Sequence, residues 1–206
     1  MRAGRRGVGP LNATAIVSLR EDALHLSKLV DDLHLLALSD LQALPCTFAE
    51  FDAAAFIRQL VPRLQARAAD KGLQLSVEIE IEAPLPVRWD SRRIEQLLGN
   101  VLENSLRYTD APGRVVLALQ RHGEQVCIVI DDSAPDVPAA DLPRLFEPLF
   151  RADAARTRHQ GGSGLGLAIC DAIVRSHGGR IHAAPSALGG LRLLIELPAS
   201  AAGAAP

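Results

Sequence analysis

The chain has 206 residues, 48% of them hydrophobic and 22% charged, enough apolar matter for one medium-sized core and too much for a disordered chain. Lys+Arg 22 against Asp+Glu 24 leaves a formal net charge of -2; without the basic excess that duplex-binding proteins use to neutralise phosphates, nucleic acid is not the expected partner. No apolar run approaches the roughly 20 residues of a membrane helix, and MRAGRRGVGP is followed by no secretory h-region, so a cytoplasmic chain is expected.

Residues 1–11, rich in Gly and Arg, read as a flexible stub. From 12 to 42 the apolar Leu19, Leu26 and Leu33 recur every seven, flanked by Leu29, Leu36, Ala23, Val30 and Ala37, the pattern of one long amphipathic helix. Its apolar face is wide, so either a partner helix from a second copy covers it or the helix lies on the chain's own globular part. Residues 43–52 are linker and first strand, with CTFAEFD extended after Pro45. A helix over Ala53–Lys71 then ends at Gly72.

LQLSVEIEI alternates apolar and polar positions, a strand with one wet face. After a Pro84/Pro86 turn come VRW, an N-cap at Asp90 or Ser91, and a helix carrying Ile94, Leu97, Leu98, Val101 and Leu102 on one face. RVVLALQRHGEQVCIVIDDS predicts a hairpin turning at His122 and Gly123, and APDVPAADLPRLF a turn and a short helix. Glu147 to Gly162 is polar, Arg-rich and aperiodic, the make-up of a lid. A helix opening on a glycine cluster, the strands RIHAAP and LRLLIELP, and a disordered tail over 199–206 complete the chain. Cys46, Cys127 and Cys170 are far apart, without C-x-x-C spacing, and read as structural.

Three polar constellations carry chemistry. Asn100, Asn104, Arg107 and Tyr108 stand at i, i+4, i+7 and i+8 on one helical stripe. Carboxamide oxygens ligate hard cations and Arg pairs with phosphate, so the stripe suits Mg²⁺ with a polyphosphate better than acid–base work; standing alone, it would read first as a solvated face. GGSGLG over 161–166 opens a helix, where free N–H groups attract an anion. It is not a Walker loop, lacking the Lys, nor a dinucleotide fingerprint, and a plain hinge is its other reading. Asp132 ends an apolar strand beside a tight turn, placed either to accept an exocyclic amine, as an adenine site requires, or to cap the turn.

The order of these pieces resembles the ATP-binding domain of two-component sensor histidine kinases, in the superfamily shared with gyrase and MutL. The motifs are LLGNVLENSLRYT (the N box), IVIDDSAPDV (the G1 box), LFEPLFRAD (the F box) and GGSGLGLAI (the G2 box), ending in HGGRIHAAPSALGGLRLLIELP. The arm LSKLVDDLHLLALSD with NSLRYTD and DSAP is similar to envelope-stress sensors of the BaeS type. The resemblance implies an α+β fold, a two-layer α/β sandwich of the Bergerat type over 53–198, preceded by a helical arm that is the second helix of a dimerisation hairpin. It implies ATP and Mg²⁺ as ligands, with Asn104 on the metal and Asn100, Arg107 and Tyr108 on the phosphate side. Asp132 would bind the adenine amino group, Gly162, Gly164 and Gly166 would hinge the lid and approach the phosphates, and Arg151 would reach the terminal phosphate. Asn104, Arg107 and Arg151 would be the catalytic residues, with Ala134 and Leu165 completing the nucleotide set; Gly189 and Gly190 stand where a last glycine motif often sits.

Two departures accompany the resemblance. In the G1 box Ala134 and Asp136 replace glycines, and a carboxylate at 136 facing the nucleotide would repel it. No histidine is followed by the phosphoacceptor pattern H-E-L-R-T-P: His25 and His34 precede Leu, and His122, His159, His177 and His182 lie in other contexts. The expected function is to position Mg-ATP for phosphoryl transfer to a histidine not present in this chain, followed by relay to a response regulator; the intact protein would be a homodimer anchored in a bacterial inner membrane. A non-catalytic nucleotide-sensing or dimerisation module is the alternative. The hydrolytic relatives carry Glu four residues before the metal-binding Asn; here Asn100 stands there, and Glu103 is expected to point about 100° away from Asn104, so ATP hydrolysis should be slow.

Overall fold

The computed structural model describes residues 13–41, 44–79, 81, 83–133, 135–152 and 162–200. The stub, most of the expected lid and the tail from 201 on lie outside the described residues.

Helix α1 (Ala13–Asp40) precedes strand β1 (Ala49–Asp52) and helix α2 (Ala53–Asp70). Asp52 starts α2 by accepting the N–H groups of Ala54 and Ala55, and its carboxylate also takes the Leu85 N–H, tying the helix start to the loop before β3. Pro62 sits inside α2 on its exposed side, where the carbonyl it leaves unbonded reaches water. Gly72, at φ +70°, reverses the chain into β2 (Leu73–Ile79). Strand β3 (Pro86–Trp89) leads into helix α3 (Ser91–Tyr108), whose N-cap is Asp90, one of the two residues expected there. The hairpin β4 (Gly113–His122) and β5 (Gln125–Ser133) turns at Gly123 and Glu124. A 3₁₀ turn (Leu142–Arg144), helix α4 (Gly166–Ser176) and strands β6 (Arg180–Pro185) and β7 (Gly189–Pro198) follow.

Five strands form one sheet in the order β2-β4-β5-β7-β6, and β1 pairs with β3 in a small second sheet. All neighbours in the large sheet are antiparallel except β2 and β4, which run parallel with Leu73 opposite Gly113. The chain between them supplies α3 as the crossover. Alternation along the strands sends Val115, Leu117, Leu119, Ile128, Ile130, Leu193 and Ile195 into the core, where they meet Ile94, Leu97, Leu98, Val101 and Leu102 of α3 and Ile169 and Ile173 of α4. The result is the expected two-layer α/β sandwich, helices on one face of the sheet and the other face half exposed.

Beyond the end of β7, where the tail was expected to begin, the backbone stays bonded to the domain. Ala199 is buried, its N–H donates to the Glu124 carbonyl at 2.8 Å, and its carbonyl accepts the Arg88 N–H at 2.7 Å. Residues 199–200 therefore belong to the folded domain, because their backbone groups complete β3 and the hairpin turn. Trp89, fully buried, donates its Nε1–H to the Pro198 carbonyl at 2.7 Å and so pins the same corner from inside.

The arm divides. Its C-terminal half lies on the domain against α4, with Leu35 buried and Leu29 and Leu36 packed on the core. Further toward the N-terminus, Ile16, Val17, Leu19, Leu24, Leu26 and Val30 are more than half exposed, as is Leu33 on the outer face. The domain thus covers the C-terminal half of the arm, and among the described residues nothing within the chain covers the apolar side chains of the other half.

His177, at the end of α4, is a core histidine. Its Nδ1–H donates to the Ile173 carbonyl at 2.8 Å, which leaves Nε2 to accept the Asp90 N–H at 3.1 Å. Burial holds its pKa below the ordinary value near 6.5. The folded state therefore takes up fewer protons than the unfolded one, so this contribution to stability is full above about pH 6.5 and is lost as the pH falls below it. His177→Gln, which retains an acceptor, should flatten the decline in melting temperature between pH 7.5 and 5.5; an unchanged slope would remove His177 as its source.

Candidate nucleotide-binding site

The site is built where three elements converge. Helix α3 is fixed by its apolar stripe, so its opposite stripe, Asn100, Asn104, Arg107 and Tyr108, turns toward a cleft beside α4. Strand β5 brings Asp132 to the sheet end of that cleft, and the segment entering α4 brings Gly162, Gly164 and Gly166 to its other wall. Together with Arg151 these residues line one cavity of about 260 Å³. One expected residue is not on that wall. Leu165 is buried in the core at the start of α4, its carbonyl taken by the Ile169 N–H; it anchors the helix and does not face the cavity. Ala134 lies outside the described residues.

Asp132 is held rigidly. Its Oδ1 accepts the Leu191 N–H at 2.7 Å, and a Cβ on Gly190 would collide with that carboxylate and with the Ser133 carbonyl. Gly190 is thus a glycine because Asp132 needs the space. Burial raises the Asp132 pKa to about 6, against the Leu191 N–H and the Ser105 hydroxyl, which lower it. Neighbouring Asp131 is engaged elsewhere, accepting Arg192 in a two-pronged ion pair and the Ser186 hydroxyl at 2.7 Å.

The glycine wall is equally specific. A Cβ on Gly162 would come to 2.6 Å from the Arg107 Nη1, so the backbone approaches the guanidinium as closely as a side chain allows. Gly164 has φ +72°, and its carbonyl accepts the Leu149 N–H at 3.0 Å. Leu149 itself has φ +64°, a left-handed conformation rare for a leucine. The F and G2 boxes are therefore stapled to one another at this pair. The Arg144 guanidinium stacks 4.2 Å over the Phe150 ring and pairs with Glu147, packing the F box against the 3₁₀ turn. At the start of α4, the Asn100 Nδ2 donates to the Gly166 carbonyl at 3.4 Å, joining the N box to the G2 box.

Glu103, Lys28, Leu29 and Asp32 are among the cavity-wall residues that the sequence did not assign to the site. Glu103 lines the cavity although its position on α3 was expected to point it away. It gets there because Arg67 of α2 pairs with it closely and Arg107, one turn on, pairs with it at 3.5 Å. Burial works against its charge, but Arg67, Lys71 and Arg107 together bring its pKa below the usual carboxylate value. Lys28, Leu29 and Asp32 reach the cavity from α1. Burial raises the pKa of Asp32, while Lys28 one turn earlier opposes that shift. An i, i+4 pair on an arm gives no sequence signal of a contact made only when the arm packs on the domain. Asp136 also lines the cavity but is exposed to water, which screens its charge.

The group this wall fits can be judged from its donors. Asn100 and Asn104 offer carboxamides, Lys28, Arg107 and Arg151 positive charge, and Gly162 a backbone with no side chain in the way, while Asp132 stands as an acceptor at the far end. That set accommodates a purine nucleotide with a hard cation on its phosphates. Among the described residues no helix is long and apolar enough to cross a membrane.

Comparisons with known proteins agree with this geometry. Residues 89–201 match the family described as histidine kinase-, DNA gyrase B-, and HSP90-like ATPase. The chain is 39% identical over 198 residues to the signal transduction histidine-protein kinase BaeS of Escherichia coli (strain K12), covering 96% of this chain and 42% of that protein. Among solved structures, the Acinetobacter baumannii histidine kinase AdeS superposes with a TM-score of 0.76 at 26% identity, covering 94% of this chain and 88% of that one. Full-length ShkA in complex with AMPPNP superposes with a TM-score of 0.80 at 26% identity, covering 96% and 41%. The chain thus spans less than half the length of BaeS, yet its fold, its motif order and its cavity all lead to one assignment: it belongs to the histidine kinase-, DNA gyrase B- and HSP90-like ATPase family, as the ATP-binding catalytic domain of a sensor histidine kinase.

Proposed function

We propose that this cavity holds Mg²⁺·ATP with the adenine at Asp132 and the phosphates at Asn104, Arg107 and the Gly162–Gly166 wall, and presents the γ-phosphoryl group to a histidine outside this chain. The observation that carries the reading is the convergence of Asn104, Asp132, Gly162 and Arg151, brought from four separate segments, onto one cleft. Asn104, with its neutral oxygen, is the residue that would hold the metal, and Mg²⁺ when bound supplies charge neutralisation on the phosphates. Arg107 and Arg151 add positive charge where the transferring group carries negative charge. Gly162 and Gly164 let backbone approach the phosphates, and Asp132 orients the base.

Among the described residues, neither of the α3 side chains beside Asn104 that could act as a base is equipped to activate water. Asn100 cannot accept a proton at neutral pH, and the Glu103 carboxylate is saturated by Arg67 and Arg107 and depressed in pKa. An imidazole nucleophile already has its lone pair and needs no such base. The chemistry left to the protein is positioning and charge, the usual share in phosphoryl transfer. The wider protein, by this reading, is a dimeric sensor anchored in a bacterial inner membrane with this chain on its cytoplasmic side. The uncovered apolar stripe from Ile16 to Leu33 supports pairing of the arm with a second copy, and a response regulator is the onward acceptor.

The test has two stages. A fluorescent ATP analogue should bind in the presence of Mg²⁺. The chain should then transfer radiolabelled phosphate, as an acid-labile adduct, to a supplied helical hairpin carrying an H-E-L-R-T-P histidine, and leave none on itself. Binding without transfer would favour the nucleotide-sensing alternative, and absence of binding would remove both.

A further inference from the structure

The acidic groups on the cavity wall differ in how they are satisfied. Glu103 is paired with Arg67 and Arg107, Asp132 accepts the Leu191 N–H, and Asp136 is in water. Asp32 is the exception: it is only 6% exposed, lines the cavity, and makes no hydrogen bond and no ion pair among the described residues. Lys28, on the same face of α1 one turn earlier, acts on it through space without closing an ion pair. Its oxygens are not among the side-chain atoms sealed without a partner; the carboxylate opens onto the cavity with no group of the polypeptide engaging it, free to meet a partner that the cavity holds.

The surroundings say what that partner is. A carboxylate repels phosphate, so Asp32 cannot itself receive the polyphosphate; it can receive a cation. Magnesium is typically bound by one or two protein oxygens together with substrate phosphates and waters. On α3, Asn104 offers one neutral oxygen to the same cavity. No group of three His, Cys, Asp or Glu side chains able to hold a metal exists among the described residues, so the ion is held only in company with the phosphates. Helix α1 lies against α4, the helix that the glycine segment opens, and so carries Asp32 to the same cavity that Asn104 and those glycines line.

We propose that Asp32, carried on the arm, is a second protein ligand for the divalent cation that accompanies the triphosphate, its carboxylate sharing that ion with the Asn104 carboxamide. The inference rests on the nucleotide reading of the cavity and deepens it: the loaded site is assembled from the arm and the ATP-binding domain together, and the cation is the link between them. Nucleotide loading then strengthens the seat of the C-terminal half of α1 on the domain, and undocking the arm weakens the metal but not the adenine contact.

The experiment uses the whole chain, with Mn²⁺ as the probe ion and AMPPNP as the nucleotide. Free Mn²⁺ is counted by electron paramagnetic resonance, and nucleotide binding is followed by calorimetry with Mn²⁺ and again with EDTA. In Asp32→Asn, affinity for Mn²⁺ in the presence of AMPPNP should fall about tenfold, while AMPPNP binding in EDTA is unchanged or tighter. Asp32→Ala should behave alike, and circular dichroism melting should show both variants folded. Equal Mn²⁺ affinity in wild type and both variants would overturn the inference and leave the nucleotide reading standing. So would tighter Mn²⁺·AMPPNP binding in the variants, which would make Asp32 a repulsive group. Wild-type protein that binds no AMPPNP under either condition would overturn both.

Discussion

Nucleotide affinity is expected to fall roughly 10- to 150-fold in Asp132→Ala, the equivalent of about 1.5–3 kcal/mol for the loss of a hydrogen bond to a charged group. The site supports an effect of that size because Asp132 is buried and immobile: the Leu191 N–H orients it, and Gly190 leaves it just enough room. A purine amino group that meets it donates to a carboxylate already desolvated, so little reorganisation is spent at binding. The raised pKa adds a pH signature. Below about pH 6 the side chain is protonated, and the charge-assisted bond becomes a neutral one. Binding of a fluorescent ATP analogue in wild type should therefore weaken as the pH falls from 7 to 5. In Asp132→Asn it should be weak at both ends and nearly flat. Isothermal titration at the two pH values checks this, and full affinity in Asp132→Ala at pH 7 would place the base elsewhere.

Replacing Trp89 by Ala is expected to cost about 3–5 kcal/mol of stability, the range for removing a large aromatic from a core. With about 2–4 °C per kcal/mol for a chain of this size, the melting temperature should drop by roughly 6–20 °C. Trp89 is completely buried, meets Phe51 edge-on at 6.2 Å, and holds the Pro198 carbonyl with its indole N–H. Removing it opens a void and leaves that carbonyl without its donor at the corner where β3, the end of β7 and Ala199 meet. Trp89→Phe should recover part of the packing but not the hydrogen bond, and so fall between. Thermal melts monitored by circular dichroism at 222 nm give the order; a loss below 1 kcal/mol in Trp89→Ala would mean the corner collapses without cost.

Much of this architecture is legible in the residues because the signals are local. The hairpin turn at Gly123, the cap at Asp90 and the apolar stripe from Ile94 to Leu102 all lie within a few positions of what they specify. Motif order then carries Asn104, Asp132 and Gly164 into one cleft. What stayed hidden depends on tertiary approach. Whether Glu103 faces the cavity is decided by Arg67, on a different helix. Asp32 and Lys28 join the wall only because α1 docks on α4. Leu165 sits inside the glycine motif yet is buried in the core, since the segment that lines the cavity must also seat the helix it opens. The parallel pairing of β2 with β4 has no counterpart in either strand's own pattern, which specifies a wet and a dry face but not a neighbour.

That parallel pairing bears on how the molecule comes together. Hairpin β4–β5 can form from neighbours in sequence, whereas β2 reaches β4 only after the chain has made the long excursion through β3 and α3, with Leu73 meeting Gly113. Contacts of such separation are slow to form, because the loop must close before the pairing rewards it. The asparagine helix rides on that excursion, so the cleft is among the last features to take shape. The stretch that matches the family begins at Trp89, after β1, α2 and β2. A piece cut there would carry every signature motif but would bare the flank of β4 to other molecules and leave α3 without Arg67 at its side, a recipe for aggregation more than for a minimal kinase core.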